Sequence, residues 1–511
     1  MNSNIQKVSL EELLYYIMFS LLLSLKGFGL DEGSIIFRIG LVCAILLFGM
    51  KTLVGRYSIR ELLVIAVGGI WSIFIFFNMG SLSIVVYALI VLGMKNVSVS
   101  KVMKIGVWVW SICFFITITL AIFMDRVGVR VVHEKLGLGP VLRESLGYGH
   151  PNVLHVTYIL FMAFVLYMCK KEKVLKTIIG LTIGNIYFFM YSLSYTGLLI
   201  SVVLIVVYLY FIYRKNITKI ERVVISSVFP ACILLSTVIA YLAEGRVYDV
   251  LNKLLNNRIW AIQYFFGTYN ITAFGERISQ KGFSIDNSYM YALAWYGLVF
   301  FVIIVIGYLV LVEEYLKENR RRELAIVITF LIAGLTEQFL FNASIKNITF
   351  VFLGEVLYKY IGHNEKEFKF ASKYNQIINI KVQILLNFKE LLKKISQPKI
   401  VIRYLIVNIF IVVILLFVPT NHYQCVYVNE RMCDCDGELV SKEQVESKED
   451  SLIIGSVTEE DQYYYFTEEN SNFIQVMDKR YKLSLSIYLS LLVTLISVWV
   501  KVKRGENNEA T

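Results

Sequence analysis

Apolar runs close to the length of a membrane-spanning helix recur along the whole chain, separated by short polar breaks. They fall at approximately 11–26, 34–50, 61–78, 81–94, 105–124, 151–169, 175–191, 197–213, 223–243, 289–312, 324–341, 347–361, 401–418 and 483–500. A helix needs about 20 mostly apolar residues to cross the hydrocarbon core. Strict apolar–polar alternation of the barrel type is absent, so the runs read as helices. The pattern predicts an all-α, polytopic integral membrane protein with about 14 transmembrane helices, of which 81–94 is the weakest.

The breaks carry a directional signal. One set of short loops holds Lys51, Arg56 and Arg60, then Lys95, Lys101 and Lys104, then Lys170, Lys171 and Lys173. Arg214, Lys215 and Arg222, Arg320–Arg322, and Lys501, Lys503 and Arg504 continue it. The opposite short loops, 27–33 and 192–196, contain no Lys or Arg, with Lys26 and Arg38 flanking the first. By the positive-inside rule the first set is cytoplasmic, and both termini lie inside. Residues 1–362 then read as a membrane domain of about twelve helices with outer loops 125–150 and 244–288. Residues 363–400 form a basic cytoplasmic linker, able to lie on the inner leaflet as an amphipathic helix or to remain a solvated tether. Residues 401–511 form a two-helix tail with an outer loop at 419–482.

Composition strengthens this picture. Hydrophobic residues make up 57% of the chain and charged residues 17%, against about 25% charged in soluble domains. The net charge of +11 resides in short inter-helix loops, which excludes a nucleic-acid surface. The first apolar run follows Glu11 and Glu12, not a basic cluster, so it is expected to be retained and not cleaved. Cys43, Cys113, Cys169 and Cys232 lie singly in apolar runs and read as packing residues. Cys425, Cys433 and Cys435 fall outside, where thiols oxidise, and a disulfide from Cys425 to one of the other two is expected. The acidic, tyrosine-containing stretch 437–470 reads as an accessory region and not a catalytic one, so removing residues 400–511 is expected to leave some of the protein's activity.

That chemistry concentrates at the outer face. Arg143-Glu144-Ser145-Leu146-Gly147-Tyr148-Gly149-His150-Pro151-Asn152 leads into a helix. Pro151 suits the first turn, which puts His150 and Asn152 at a helix N-terminus that favours anions; a capped junction is the plainer alternative. Loop 244–288 carries Arg246, Arg258 and Arg277 among acidic residues. Such arginines either grip phosphate oxygens in a bidentate fork or snorkel to lipid headgroups. Asp286, Asn287 and Ser288 precede the run at 289–312; Asn287 and Ser288 suit helix capping, and Asp286 is either a cap or a general base. Ser192, Ser194, Tyr195 and Thr196 interrupt the bundle at the same face, as do Thr336, Glu337, Gln338 and Asn342. Glu337 is costly there unless paired, and an arginine of loop 244–288 is its natural partner. No metal-ligand spacing, Walker loop or GxGxxG fingerprint is present, so no metal and no cofactor is expected.

Taken in order, the Gly-His-Pro-Asn junction, the Ser-x-Ser-x-Thr-Gly break at 192–197, the arginine-rich loop, Ile285-Asp286-Asn287-Ser288-Tyr289, Trp295-Tyr296-Gly297 and Leu335-Thr336-Glu337-Gln338 form one pattern. Over residues 10–362 it resembles the bacterial capsular and O-antigen polysaccharide polymerases of the O-antigen ligase/polymerase superfamily. The resemblance implies a metal-independent glycosyltransferase of the bacterial plasma membrane, inverting or retaining, that joins oligosaccharide repeats carried on undecaprenyl diphosphate. It implies Arg258, Arg246, Arg143 and Arg277 as diphosphate ligands, Asp286 or His150 as base, Asn152 and Asn287 near the substrate, and Glu337 as the residue orienting an arginine. Membrane lipid, a flippase and a chain-length regulator are the implied partners. Two departures stand out: Tyr195 occupies a position often held by Arg, and Asp286, where ligases usually carry His, favours a polymerase. The rivals are a ligase that moves finished glycan to another acceptor and a transporter of the lipid-linked sugar. A transporter would show repeats and broken helices at midplane, which the sequence lacks.

Overall fold

The computed structural model describes residues 5–124, 128–135, 139–254, 258–278, 285–342, 344–361, 367–381, 397–418, 423–434, 439–441, 451–455, 462–467 and 471–508. Each apolar run becomes a helix whose ends are set by local chemistry. Ser9 with Glu12, Ser58 with Glu61, and Thr218 with Glu221 form reciprocal capping boxes at the starts of Leu10–Gly27, Ile59–Met79 and Lys219–Leu234. Pro151 and Pro398 occupy first turns, where the missing N–H costs nothing. Inside Lys219–Leu234, Pro230 removes a ladder bond, and the chain passes into a π-helical turn at Leu235–Ile239.

Among the described residues, nine helices are long and apolar enough to cross a membrane: Ile35–Val54, Ile59–Met79, Val99–Phe123, Pro151–Met168, Lys171–Ser192, Tyr195–Tyr213, Lys219–Leu242, Ser288–Lys317 and Pro398–Leu416. The protein is mostly helical, in keeping with a membrane-embedded bundle. Large apolar side chains such as Ile36, Ile39, Leu46, Val67, Ile70 and Phe77 point outward, a surface that water would not support over several neighbouring helices. The interior is aromatic, with Tyr15, Trp110, Tyr208, Tyr289, Tyr296 and Tyr308 fully buried.

Several elements depart from the sequence reading. The run at 324–341 is helical only over Arg321–Ala333; at Gly334 the chain leaves the helix and stays irregular, apart from the short turn Gln338–Leu340, until Thr349–Ile361. Among its described residues, loop 244–288 contains two helices, Gly245–Leu254 and Arg258–Thr268. The last helix is much longer than its apolar run, Phe473–Asn508. Between 367 and 381 the linker carries two short strands and one 3-10 turn, Ser372–Tyr374, in place of an amphipathic helix: Glu367–Phe368 pairs with Tyr57–Ser58, and Ile377–Lys381 pairs with Ile5–Ser9. Residues 382–396, where the amphipathic helix was also expected, lie outside the described residues. Buried ion pairs, Lys51 with Glu11 at 3.1 Å and Lys95 with Glu61, tie this end together.

Loop 125–150 contributes two paired β-strands, so the fold is not purely α. Arg130–Lys135 pairs antiparallel with Gly139–Glu144, and Cys433–Asp434 of the tail adds a third strand. The tail's four-stranded sheet, in the order Ser451–Ile454, Cys425–Asn429, Tyr463–Thr467, Leu439–Val440, shares one apolar cluster with the hairpin. Val132 and Leu142 pack there with Val426, Val428, Phe466 and Phe473. Cys425 is buried as a free thiol, so the bridge expected from it is not formed; Cys433 is disulfide-bonded, and Cys435 lies outside the described residues.

Candidate functional site

Successive strand residues point to opposite faces. Leu142 therefore faces the tail's core while Arg143 faces the helix bundle. Arg143 is 3% exposed; its Nε donates to the Ser192 carbonyl at 2.7 Å and its Nη2 to Asn152 Oδ1 at 2.5 Å. Burial lowers its pKa to about 10, opposed by the charge of Glu337, and the guanidinium stays cationic at neutral pH. Next to it, Glu144 is held from both sides, by Arg130 Nε at 3.2 Å and by Arg480 Nη1 at 3.2 Å.

His150 caps the helix Pro151–Met168: its Nδ1 accepts from the Asn152 amide at 3.1 Å. That bond requires an unprotonated Nδ1, which places the ring proton on Nε2. Burial, then the positive charges of Arg143, His133 and Lys135, push its pKa down to about 4. The one basic nitrogen of His150 is thus already engaged, and a ring this weakly basic is poorly suited to take a proton from a hydroxyl.

Beyond Ser192 the backbone reverses through Leu193, at a φ of 42°, and Ser194 caps the next helix by accepting from the Gly197 amide at 3.2 Å. His155, absent from the sequence-based list, binds Ser192 Oγ through Nδ1 at 2.9 Å and Asn185 Oδ1 through Nε2 at 2.8 Å. Gly197 makes this possible, since a Cβ there would sit 2.5 Å from the imidazole Cγ. Thr196 Oγ1 donates to Glu337 Oε1 at 2.6 Å.

Glu337 is the hub. It is 7% exposed and lies in the irregular segment that follows Ala333. Arg258 Nη2 stands 3.8 Å from Glu337 Oε1 and 3.8 Å from Asp286 Oδ2, charge contacts longer than close N–H···O forks. Burial raises the Glu337 pKa to about 7; Arg258 opposes this and Asp286 adds to it. Asp286 is the more open carboxylate, its side chain 36% exposed.

Asn287 is buried and saturated. It accepts from the Tyr289 and Met290 amides and donates to Ser236 Oγ at 2.8 Å and the Leu335 carbonyl at 3.0 Å. Ser288 donates from its amide to the Gly334 carbonyl at 2.8 Å and from its hydroxyl to the Glu337 carbonyl. These two residues therefore pin the segment bearing Glu337.

The structure brings Arg143, Asn152, Arg258, Asp286 and Glu337 into one polar cluster, with His150 on its margin. It does not bring in Arg246, which is exposed on Gly245–Leu254. Arg277 is drawn away too, its Nε 3.5 Å from the Met79 carbonyl at the C-terminal end of Ile59–Met79, a position where a cation offsets the helix dipole. His155, Asn185 and Lys346 belong to the surroundings yet were missed. Intramembrane His and Asn, and a lysine on the face otherwise poor in them, were the available signals. Compared with protein-family models, with curated proteins and with solved structures, the chain matches none.

Proposed function

We propose that the protein polymerises oligosaccharide repeats carried on undecaprenyl diphosphate, at the outer face of a bacterial plasma membrane. In this reading the chain crosses the bilayer about fourteen times with both termini cytoplasmic, and the polar cluster opens outward. The observation that carries the proposal is the meeting of two arginines with two carboxylates: the buried Arg143 and the largely shielded Arg258 around Glu337, with Asp286 beside them. As the glycosidic bond breaks, negative charge grows on the departing diphosphate. Preorganised guanidinium groups in a dry site stabilise that charge more than they stabilise the ground state. Asp286, the carboxylate with solvent access, is assigned as the base that takes the acceptor hydroxyl's proton, and Glu337 orients Arg258.

The test is the glycan ladder of cells carrying single variants. Losing one such charge contact costs about 100- to 1000-fold in rate. Arg258→Ala and Asp286→Ala are expected to insert normally, stop chain growth and leave single repeats. Arg258→Lys is expected to rescue only in part, because lysine keeps the charge and loses the fork. A normal ladder from Arg258→Ala would remove that residue from the site. Normal polymers that never reach their final carrier would point to a ligase, and repeats accumulating on the cytoplasmic side to a transporter.

A further inference from the structure

Four helices, Ile59–Met79, Ser83–Leu92, Gly297–Lys317 and Thr349–Ile361, enclose an apolar groove of about 710 Å³, a volume within the usual range of ligand pockets. Its sides are unequal. Ile84, Tyr87, Phe350 and Val356, on Ser83–Leu92 and Thr349–Ile361, are buried and form its floor. Leu63 and Val67, on Ile59–Met79, and Ile303, on Gly297–Lys317, are exposed and flank its opening. Gly68, Ala88 and Gly307 also line it. Small residues ordinarily let membrane helices close on each other; here they leave a space that opens sideways onto the bilayer. Apolar cavities stay dry, so lipid hydrocarbon is what fills it.

The two ends of the groove differ as well. At one end Trp71 and Phe300 meet, ring centres 6.0 Å apart. Beyond them the Thr272 and Ala273 carbonyls accept from the Leu298 and Val299 amides at 3.0 and 3.1 Å, and Phe274 stands edge-on to Phe74. Residues 272–274 thus strap Ile59–Met79 to Gly297–Lys317 and shut the groove on the side of the segment bearing Glu337, where Tyr87 of the floor donates to the Asn342 carbonyl at 2.7 Å. The opposite end lies at Leu63, Ile361 and the exposed Tyr360. Arg60 precedes Leu63 and Val64 by one helical turn, on the same face, and both Arg60 and Arg56 are exposed. Acids close by are already engaged: Glu61 with the buried Lys95, and Glu314, which accepts from Tyr360, with Lys359 at 2.6 Å.

Length narrows the occupant. Phe350 and Ile361 both line the groove, and at ~1.5 Å per residue they stand about 16 Å apart along the helix. That is about half of a hydrocarbon core ~30 Å thick, the depth of one leaflet and the reach of one acyl chain. Guanidinium groups fork onto phosphate, and a basic helix end beside an interhelical pocket favours anionic headgroups. We propose that the groove is a binding site for an anionic glycerophospholipid of the leaflet at the Arg60 end, with one acyl chain in the groove, its methyl end at Trp71, and its phosphate on the Arg60 guanidinium. In the orientation proposed above this is the cytoplasmic leaflet, opposite the donor, and the strap separates the chain from the Glu337 cluster. The bound lipid is therefore not the substrate.

The experiment uses the full-length protein in phosphatidylcholine vesicles containing phosphatidylglycerol brominated near the methyl end of its chains or near the glycerol. The Trp71 signal is the difference in fluorescence between wild type and Trp71→Phe. Methyl-end bromines are expected to quench it more than glycerol-end bromines, and brominated phosphatidylcholine at the same fraction to quench it less than either. Arg60→Gln is expected to need about tenfold more phosphatidylglycerol for the same quenching, the loss of one charged contact. Gly307→Leu, whose Cβ meets Leu353 at an ordinary 3.4 Å, fills the groove and is expected to abolish the preference for phosphatidylglycerol. Stronger quenching by glycerol-end bromines overturns the proposal, because the headgroup would then lie at the strapped end. Equal quenching by phosphatidylcholine, or an unchanged requirement in Arg60→Gln, overturns the anionic contact. Displacement by undecaprenyl phosphate at concentrations no higher than phosphatidylglycerol overturns the proposal in favour of the carrier lipid.

Discussion

At the scale of single residues, the cluster is shaped by burial. Glu337 sits where its carboxyl is pushed up to about 7, so it ionises only as pH rises through neutrality. If ionised Glu337 orients Arg258, polymerisation should rise between about pH 6 and pH 8 and level off above, the sign expected of a group needed in its deprotonated form. Its effect on folding has the opposite sign: a raised acid favours the folded state below its folded value and loses that benefit as pH rises. Rate measured against pH in membranes checks this, with Glu337→Gln as comparison. An unchanged pH profile in Glu337→Gln would exclude the assignment.

His155 and Gly197 make a second residue-scale case. Filling the space at Gly197 drives a methyl group into the imidazole, and overpacking of this kind costs about 1–3 kcal/mol. Removing His155 takes the imidazole partner from Ser192 Oγ and Asn185 Oδ1, each bond worth about 1 kcal/mol between membrane helices. Gly197→Ala with His155→Ala should therefore be less destabilised than the two single changes added together, because the second change vacates the space that the first one needs. Thermal unfolding of the three variants measures it, and simple additivity would mean that the glycine does not serve the histidine.

At the scale of elements, the hairpin bearing Arg143 is not self-supporting. A lone two-stranded hairpin is marginal in water. Here Cys433–Asp434 adds a strand, Val132 and Leu142 join the tail's core, and Arg480 donates to the Leu142 carbonyl at 3.2 Å as well as to Glu144. Tyr191 in turn donates to the Arg480 carbonyl at 2.8 Å. The tail, expected to be an accessory region whose removal leaves some activity, therefore bears on the placement of Arg143. Arg480→Ala should loosen residues 130–144, read as faster amide exchange in that segment, and should slow chain growth. Deletion of 401–511 should have the larger effect on both. Unaltered exchange in the hairpin of Arg480→Ala would show that the tail only rests against it.

At the scale of the whole molecule, the alternation of basic and neutral loops predicts which ends of the helices face the cytoplasm. With the native free cysteines replaced, an impermeant thiol reagent added outside should label Asn270→Cys and not Lys215→Cys, both being exposed positions. Labelling of Lys215→Cys from outside would reverse the orientation.

What the sequence determined by itself was the helical bundle, because span length, apolarity and caps are local properties that act within one helix. Each expected run carries a helix, and the polar breaks at Ser192–Gly197 and Thr336–Glu337 were legible for the same reason: polar groups in an apolar run need partners. Which partners they found was decided by the tertiary structure. Arg258 and Glu337 are distant in sequence, and nothing local distinguished Arg258 from Arg246 or Arg277; only the packing of loops set one beside Glu337, one in the open and one over the end of a helix. The hairpin at 130–144 was illegible for a related reason. Its third strand and most of its core arrive from the tail, about 300 residues away in the chain.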